Sequence, residues 1–171
     1  ASLTAGHPVV LVMPEDAPAL RQENLLRMGA KILHSPARAG LAGARAAAEK
    51  TAAEKGWYYM NWLANDDNPE YHRRVTGPAI VKAIARENAS LVDAITIGVG
   101  SGGTITGVGE TIKAWTNDVR IVAVEPYESQ PLAGGFVGNH GIPEIGFGFV
   151  PKNFNAYVVD NVAAVSTTDA S

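Results

Sequence analysis

Apolar residues along the chain form short continuous runs that alternate with stretches of helical spacing. The run at residues 8–13, PVVLVM, is typical of a strand buried on both faces, and the aromatic-rich residues 57–62 also suit a strand. Gly29 and Gly56 stand where glycines commonly end helices. We therefore predict a strand at 8–13, a helix at 17–28, a strand at 31–34, a helix at 42–55 and a strand at 57–62.

The polar, turn-prone residues 65–69 follow, and we interpret them as a crossing between two domains, 1–65 and 66–171. Beyond them the pattern predicts a helix at 70–87 interrupted at Gly77-Pro78, a strand at 92–98, a helix at 104–115, a strand at 119–124, an irregular glycine-rich region at 134–148 and one or two short strands within 157–165. Because strands separated by helices form parallel βαβ units, the predicted class is α/β, with parallel twisted sheets covered by helices on both faces.

Composition narrows the classes of function. The 171 residues are 46% hydrophobic and 18% charged, with a net charge of −3, so a packed core is expected and a nucleic-acid partner is not. The absence of cysteine excludes disulfides, thiolate catalysis and cysteine-ligated zinc. The four histidines lack metal-ligand spacing, so no metal site is expected. Neither a membrane-spanning run nor a signal peptide is recognisable, and a cytoplasmic location is expected.

The chemistry is concentrated at residues 98–109, GVGSGGTITGVG, between a predicted strand and a predicted helix. Glycines permit the tight turn and close backbone approach that such a loop needs. The N–H groups of Gly102, Gly103 and Thr104 would converge at the positive end of the helix dipole, and the Ser101 and Thr104 hydroxyls would add donors. This arrangement predicts a phosphate site.

A second interpretation of the loop is a dinucleotide site. Residues 98–103 match G-x-G-x-x-G, and Glu125 ends the next strand about where a ribose-binding acid would lie. An NAD-dependent dehydrogenase is therefore a competing hypothesis. Against it, several βα units precede the fingerprint, which normally opens its own βαβαβ unit. The flanking hydroxyls also suit a phosphate monoester better than a pyrophosphate.

The whole loop closely resembles the phosphate loop of cysteine synthase (O-acetylserine sulfhydrylase) and its relative cystathionine β-synthase, which are fold-type II pyridoxal-phosphate (PLP) enzymes. Further motifs follow in the family's order: VMPE at 12–15, LRMGA at 26–30, NP at 68–69, His72, TGP at 76–78, AVEP at 123–126, Ser129, Leu132 with the glycine pair at 134–135, and GFVP at 148–151. The TGP and AVEP motifs favour the cysteine synthase branch.

The resemblance implies a two-domain α/β enzyme, tryptophan synthase β-like, with PLP between the domains. Residues 1–65 would be the remainder of the smaller N-terminal domain, and 66–171 part of the larger PLP-phosphate-binding domain. The residues that would anchor the 5′-phosphate are Gly100, Ser101, Gly102, Gly103 and Thr104. The family's Schiff-base lysine motif, its substrate-carboxylate loop and its late pyridine-contacting serine are not recognisable here. The six lysines lie in other contexts, so no catalytic residue is assigned and that lysine is expected upstream.

Two departures from the family fall on its substrate side. Asn61-Trp62 stand about where the family has a glutamine pair, and the family's GIGAGF reads EIGFGF at residues 144–149. The candidate substrate-side residues are Asn61, Trp62, Glu144, Gly146 and Phe147.

The reaction that the resemblance implies is PLP-dependent β-replacement on an O-activated serine, with sulfide or another nucleophile, to form cysteine. A cystathionine β-synthase-like or cysteine-desulfurating lyase activity is the nearest alternative. An inactive fragment or a partner-dependent binding module is another. As a complete protein it would be a cytoplasmic homodimer acting on amino-acid substrates, without a nucleic-acid or membrane partner, while this chain alone would be inactive.

Overall fold

The computed structural model describes residues 3–87 and 92–171, and the chain divides into two compact units, Ala1–Asn61 and Trp62–Ser171. In the first unit, strands β1 (Val10–Pro14) and β2 (Lys31–Ser35) pair in parallel, with Val10 opposite Lys31 and Pro14 opposite Ser35. Helix α1 (Ala19–Arg27) connects the two strands, and a 3-10 turn and helix α2 (Gly40–Lys55) follow β2. This is one βαβ unit followed by a helix, as the hydrophobic pattern predicted.

Both predicted glycine stops are present in this unit. Gly29 follows α1 with φ +92°, and Gly56 follows α2 with φ +64°. These are left-handed conformations, which only glycine adopts without steric cost. We predicted that the first strand is buried on both faces, and this was wrong. In the described structure, every residue of β1 is half-buried.

The second unit contains a three-stranded parallel sheet. Its helices are α3 (Asp67–Tyr71), α4 (Gly77–Glu87) and α5 (Gly103–Trp115), and its strands are β3 (Ala94–Gly98), β4 (Arg120–Pro126) and β5 (Asn161–Val165), in the order β3-β4-β5. Ala94 lies opposite Arg120, and Val122 opposite Asn161. The core is formed where α5 covers the sheet, and Val108, Ile112 and Ile121 are fully buried there. Both sheets are parallel, and helices α1 and α5 connect β1 to β2 and β3 to β4, so the α/β class is confirmed. The connection from β4 to β5 is irregular apart from a 3-10 turn at Ala156–Val158.

The strand predicted at residues 57–62 was wrong. This segment has irregular backbone and pairs with neither sheet of the described residues. Its aromatic side chains are largely exposed, Tyr58 to 79%, and Asn61 has φ +42°. Aromatic residues favour strands only when a neighbouring strand offers a surface to pack on, and none is present here.

Residues 65–69, which we interpreted as a crossing between two domains, include the start of helix α3. The Asn65 side chain accepts the amide of Asp67 at 3.0 Å, so a turn-forming residue stands just before α3. Pro69 lies inside α3 and is buried. The helical path continues through a π-helical turn, His72–Thr76, into α4, so the predicted interruption lies just before Gly77-Pro78. Pro78 has no N–H to donate, which is consistent with irregular bonding in the turn before it.

The boundary between the units lies before Trp62. The Trp62 carbonyl accepts the side-chain amides of Asn68 and Asn153, each at 2.8 Å, and these bonds bind residues 62–65 to the second unit. The assignment of the units to the domains of a parent enzyme stays a prediction. No helix within the described ranges is sufficiently long and apolar for a membrane span.

Candidate phosphate-binding site

The glycine-rich loop joins the carboxyl end of β3 to the amino end of α5. Strand β3 ends at Gly98 and α5 begins at Gly103, after Gly102 with φ +81°. In the part of the chain that the structure describes, no backbone carbonyl accepts the amide of Gly102 or of Thr104. The positive end of the α5 dipole therefore faces this loop with N–H groups to spare, as an anion site requires.

Close packing explains why the loop needs glycines. A Cβ on Gly100 would overlap the carbonyl oxygen of Glu144, and one on Gly103 would overlap the Asn68 side-chain amide. A Cβ on Gly102 would lie 2.9 Å from the backbone of Phe154, in addition to the strain of its positive φ. The glycines therefore permit both the tight turn of the loop and the close packing of α5 on its neighbours.

The two hydroxyls at the loop differ in what they already bind. Ser101 Oγ accepts the Asn68 side-chain amide at 3.0 Å and the Gly103 amide at 3.3 Å. Both contacts use the oxygen, so the Ser101 hydroxyl hydrogen stays available to an anion. The Gly103 amide, expected to face the phosphate, is directed to Ser101 instead. Thr104 is exposed in the first turn of α5.

Asn68 is a site residue that sequence analysis did not assign to the site. Its amide nitrogen donates to Ser101 Oγ at 3.0 Å and to the Trp62 carbonyl at 2.8 Å. The side chain therefore joins the loop to the segment that leads into α3. The NP pair at 68–69 was the only sequence signal that pointed to Asn68. The surrounding residues favour turns, so the pair was interpreted as part of a linker.

His72 lies in the π-helical turn and contacts the site. Its Nε2 is 3.1 Å from Thr104 Oγ1, and its Nδ1 is 2.9 Å from Thr76 Oγ1. Burial lowers the pKa of the imidazole below its usual range, so the ring is neutral at neutral pH. In the sequence His72 was recognised only as one of the motifs that carry the family resemblance, with no role assigned to it.

Four of the five substrate-side candidates lie beside the loop. Gly146 donates its amide to the Val99 carbonyl at 3.1 Å, so residues 144–147 run along the loop. The Phe147 ring would lie 3.5 Å from a Cβ on Gly100. The rings of Phe147 and Trp62 meet edge-to-face, with centroids 5.7 Å apart and planes at 87°. Asn61 is the last residue of the other compact unit.

Glu125 is used structurally. It is buried, and its two carboxylate oxygens accept the amides of Leu132 and Ala133 at 2.8 and 3.0 Å. These bonds fold residues 131–134 onto the end of β4. The dinucleotide hypothesis required the Glu125 carboxylate to bind a ribose hydroxyl. Because this carboxylate is buried and accepts two backbone amides, the hypothesis lacks its ribose-binding acid.

A known protein family and curated relatives match nearly the whole chain. The family model described as "Pyridoxal-phosphate dependent enzyme" matches residues 1–171. A cysteine synthase of Staphylococcus aureus is 33% identical over 165 residues, which are 96% of this chain and 52% of that protein. The chain thus spans about half the length of the curated relatives it matches.

Solved structures are similar over the same extent. The cysteine synthase of Entamoeba histolytica superposes with a TM-score of 0.88 at 31% identity and covers 99% of this chain and 49% of its own. An O-ureido-L-serine synthase superposes with a TM-score of 0.89 at 29% identity, covering 96% of this chain and 51% of its own.

Proposed function

Because the chain belongs to the family of pyridoxal-phosphate-dependent enzymes, we propose that the complete protein replaces the β-substituent of an O-activated serine by sulfide and so forms cysteine. The cysteine synthase relatives support this reaction, and the donors around Thr104 and Ser101 support binding of the cofactor phosphate. In this family the cofactor acts as an electron sink for the substrate, and the protein supplies binding and orientation. A cystathionine-forming or cysteine-desulfurating activity is the alternative within the family.

The phosphate would be held by donors of this chain. The amides of Gly102 and Thr104 and the hydroxyls of Ser101 and Thr104 are suited to a phosphate monoester, which has three anionic oxygens. Gly100 and Gly103 contribute by letting Glu144 and Asn68 approach the backbone. This convergence of donors at one helix terminus is the observation that carries the proposal.

Removing one donor tests the cofactor site. Thr104→Ala in the complete protein deletes one bond to a charged acceptor, which is worth about 1.5 to 3 kcal/mol. We expect PLP affinity measured by fluorescence titration to fall about 10- to 100-fold. Thr116→Ala, at the far end of the same helix, is the matched control and should leave PLP affinity unchanged. Unaltered PLP affinity together with weakened NAD binding would favour the dehydrogenase instead.

The substrate side would be shaped by the aromatic pair Trp62–Phe147. Phe147 stands where the family motif has a small residue, and its ring lies close to Gly100. Glu144 adds a negative charge where the motif has glycine, and it adopts φ +66°, a conformation that favours glycine. We infer a narrower and more negative acceptor site than in an ordinary cysteine synthase. One similar protein is named O-ureido-L-serine synthase, so the nucleophile needs a direct test.

Steady-state assays would test this selectivity. O-acetylserine, O-phosphoserine, serine and cysteine should be compared as donors, with sulfide and bulkier thiols as nucleophiles. We expect Phe147→Ala to raise kcat/KM for bulky nucleophiles about tenfold relative to sulfide, which corresponds to about 1.4 kcal/mol in the transition state. Glu144→Gly should favour the anionic donor O-phosphoserine. Equal rates for wild type and both variants on every substrate would show that neither residue selects the substrate.

We also propose that the complete protein is a cytoplasmic homodimer, on the basis of the resemblance alone. Sedimentation equilibrium gives the oligomeric state without any assumption about activity. A mass equal to one chain at micromolar concentration would contradict the dimer.

A further inference from the structure

Two threonine hydroxyls and one imidazole form a continuous hydrogen-bonded series that ends at the loop. Thr76 Oγ1 lies 2.9 Å from His72 Nδ1, and His72 Nε2 lies 3.1 Å from Thr104 Oγ1. The series begins in the π-helical turn and ends in the first turn of α5. The phosphate donors proposed above include Thr104 but assign no role to His72 or Thr76.

The direction of these hydrogen bonds matters because a hydroxyl has a single hydrogen. If Thr104 donates that hydrogen to His72, it presents only lone pairs to a phosphate oxygen, which is also an acceptor. If His72 donates through Nε2–H instead, the Thr104 hydrogen is left for the phosphate. A neutral imidazole donates through one nitrogen and accepts through the other, so the partner of Nδ1 determines which case holds.

Thr76 can supply the required partner. Among the described contacts, His72 is the one hydrogen-bond partner of the Thr76 side chain. The Thr76 hydroxyl hydrogen can therefore be donated to His72 Nδ1. That bond leaves the ring proton on Nε2, directed at Thr104. The lowered pKa of His72, caused by burial, keeps the ring neutral, as this arrangement requires.

Packing holds the imidazole in place. A Cβ on Gly107 of α5 would lie 2.6 Å from the His72 Cβ, so the π-helical turn packs directly on the helix backbone. The Tyr71 ring stands edge-on to the imidazole at 5.7 Å between centroids. The ring is therefore positioned against α5 by its neighbours as well as by its hydrogen bonds.

We propose that His72 is a positioning residue for phosphate binding: it donates Nε2–H to Thr104 Oγ1, and Thr76 fixes this tautomer by donating to Nδ1. The Thr104 hydroxyl is then aimed at a phosphate oxygen before the anion arrives. The proposal rests on the proposed function only in that it requires a phosphate group at the loop. It concerns the proton positions of this chain's own residues and is independent of the reaction catalysed.

Two substitutions at His72 separate positioning from packing. A glutamine amide nitrogen can occupy the place of Nε2, whereas an asparagine amide nitrogen occupies that of Nδ1. We expect the affinity of the complete apoprotein for inorganic phosphate, measured by calorimetry, to fall about tenfold in His72→Asn, because Thr104 then loses the donor that orients its hydroxyl. His72→Gln should stay within about threefold of wild type. In a Thr104→Val background, His72→Asn should cause no further loss.

Nitrogen-15 NMR of histidine-labelled wild-type protein with saturating phosphate gives a readout that needs no variant. We expect the His72 Nε2 to be protonated and Nδ1 to carry the lone pair, and Thr76→Val to mix the two tautomers. A proton on Nδ1, or equal phosphate affinity of wild type and a folded His72→Asn, would overturn the inference. Absence of phosphate and PLP binding to the wild type would instead overturn the proposed function.

Discussion

Two buried polar side chains of the second unit, Glu125 and Thr106, are paired with backbone groups. Glu125 is 1% exposed and accepts two backbone amides, while Thr106, 3% exposed, donates to the Asn153 carbonyl at 2.7 Å and accepts the Asn155 amide at 2.9 Å. At such positions a polar residue satisfies backbone groups that water cannot reach. Their loss costs more than the loss of an exposed hydrogen bond, because the partner is left unsatisfied.

Glu125→Gln tests this at a single residue. A glutamine can accept one of the two amides, but its NH₂ group would face the other, so one buried N–H loses its acceptor. We expect the free energy of unfolding, measured by urea titration, to fall by about 2 to 3 kcal/mol. The control Glu15→Gln alters an exposed carboxylate in the other unit and should change stability by less than about 0.5 kcal/mol. A fall no larger than that of the control would show that the two bonds contribute little.

An ion pair joins elements of the second unit at the end of the sheet that lies opposite the loop. Lys113, in the last turn of α5, lies 2.7 Å from Asp160 Oδ2, and the same carboxylate accepts the Ile121 amide of β4 at 2.6 Å. Asp160 immediately precedes β5, so the carboxylate connects one helix with two strands. The Lys113 ammonium and the Ile121 amide hold the pKa of Asp160 below its usual range.

This pKa shift predicts a pH-dependent contribution to stability. Because the pKa is lower in the folded state, the contribution is present above the unfolded value of about 3.9 and is lost as pH falls through the folded value. The side chain is 35% exposed, so solvent screening limits the expected effect of Asp160→Asn at pH 7 to about 1 kcal/mol. Urea titrations at pH 7 and pH 3 should show the difference from wild type shrinking in acid. Asp16→Asn, at an exposed position, should show no such trend, and a pH-independent difference for Asp160→Asn would contradict the electrostatic explanation.

At the scale of the whole chain, Lys113 and the proposed phosphate site lie toward opposite ends of the sheet in the second unit. Lys113 is paired with Asp160 near the start of β4, whereas the loop follows the carboxyl end of β3. The remaining lysines are 31, 50, 55, 82 and 152, and none lies in the lysine motif that the resemblance implies. Covalent attachment of PLP requires a positioned, partly deprotonated amine.

We therefore expect this chain alone to bind PLP through its phosphate without specific covalent attachment. The measurement is borohydride reduction of the chain mixed with PLP, followed by peptide mapping. Inorganic phosphate added in excess serves as a competitor for the loop. Low, evenly distributed labelling of exposed lysines is expected, whereas reduced PLP on one lysine, displaced by phosphate, would contradict the prediction.

Local patterns predicted most elements of the fold because their causes are local. The glycine stops after α1 and α2, the apolar runs of β1 and β3, and the loop before α5 all depend on residues adjacent in sequence. A candidate phosphate site was therefore recognisable at residues 100–104. The family was recognisable because several such motifs occur in one order.

Contacts between distant residues could not be predicted in this way. Residues 57–62 have strand propensity but no strand to pair with among the described residues. The Trp62 carbonyl, just before the turn-forming residues 65–69, accepts the side-chain amides of Asn68 and of Asn153, which is 91 positions further along the chain. The role of His72 likewise depends on Thr104, 32 positions further along the chain. Propensity and spacing act within a few residues, so they indicated a candidate phosphate site. Packing of α3 and the π-helical turn against α5 decided which side chains stand beside it.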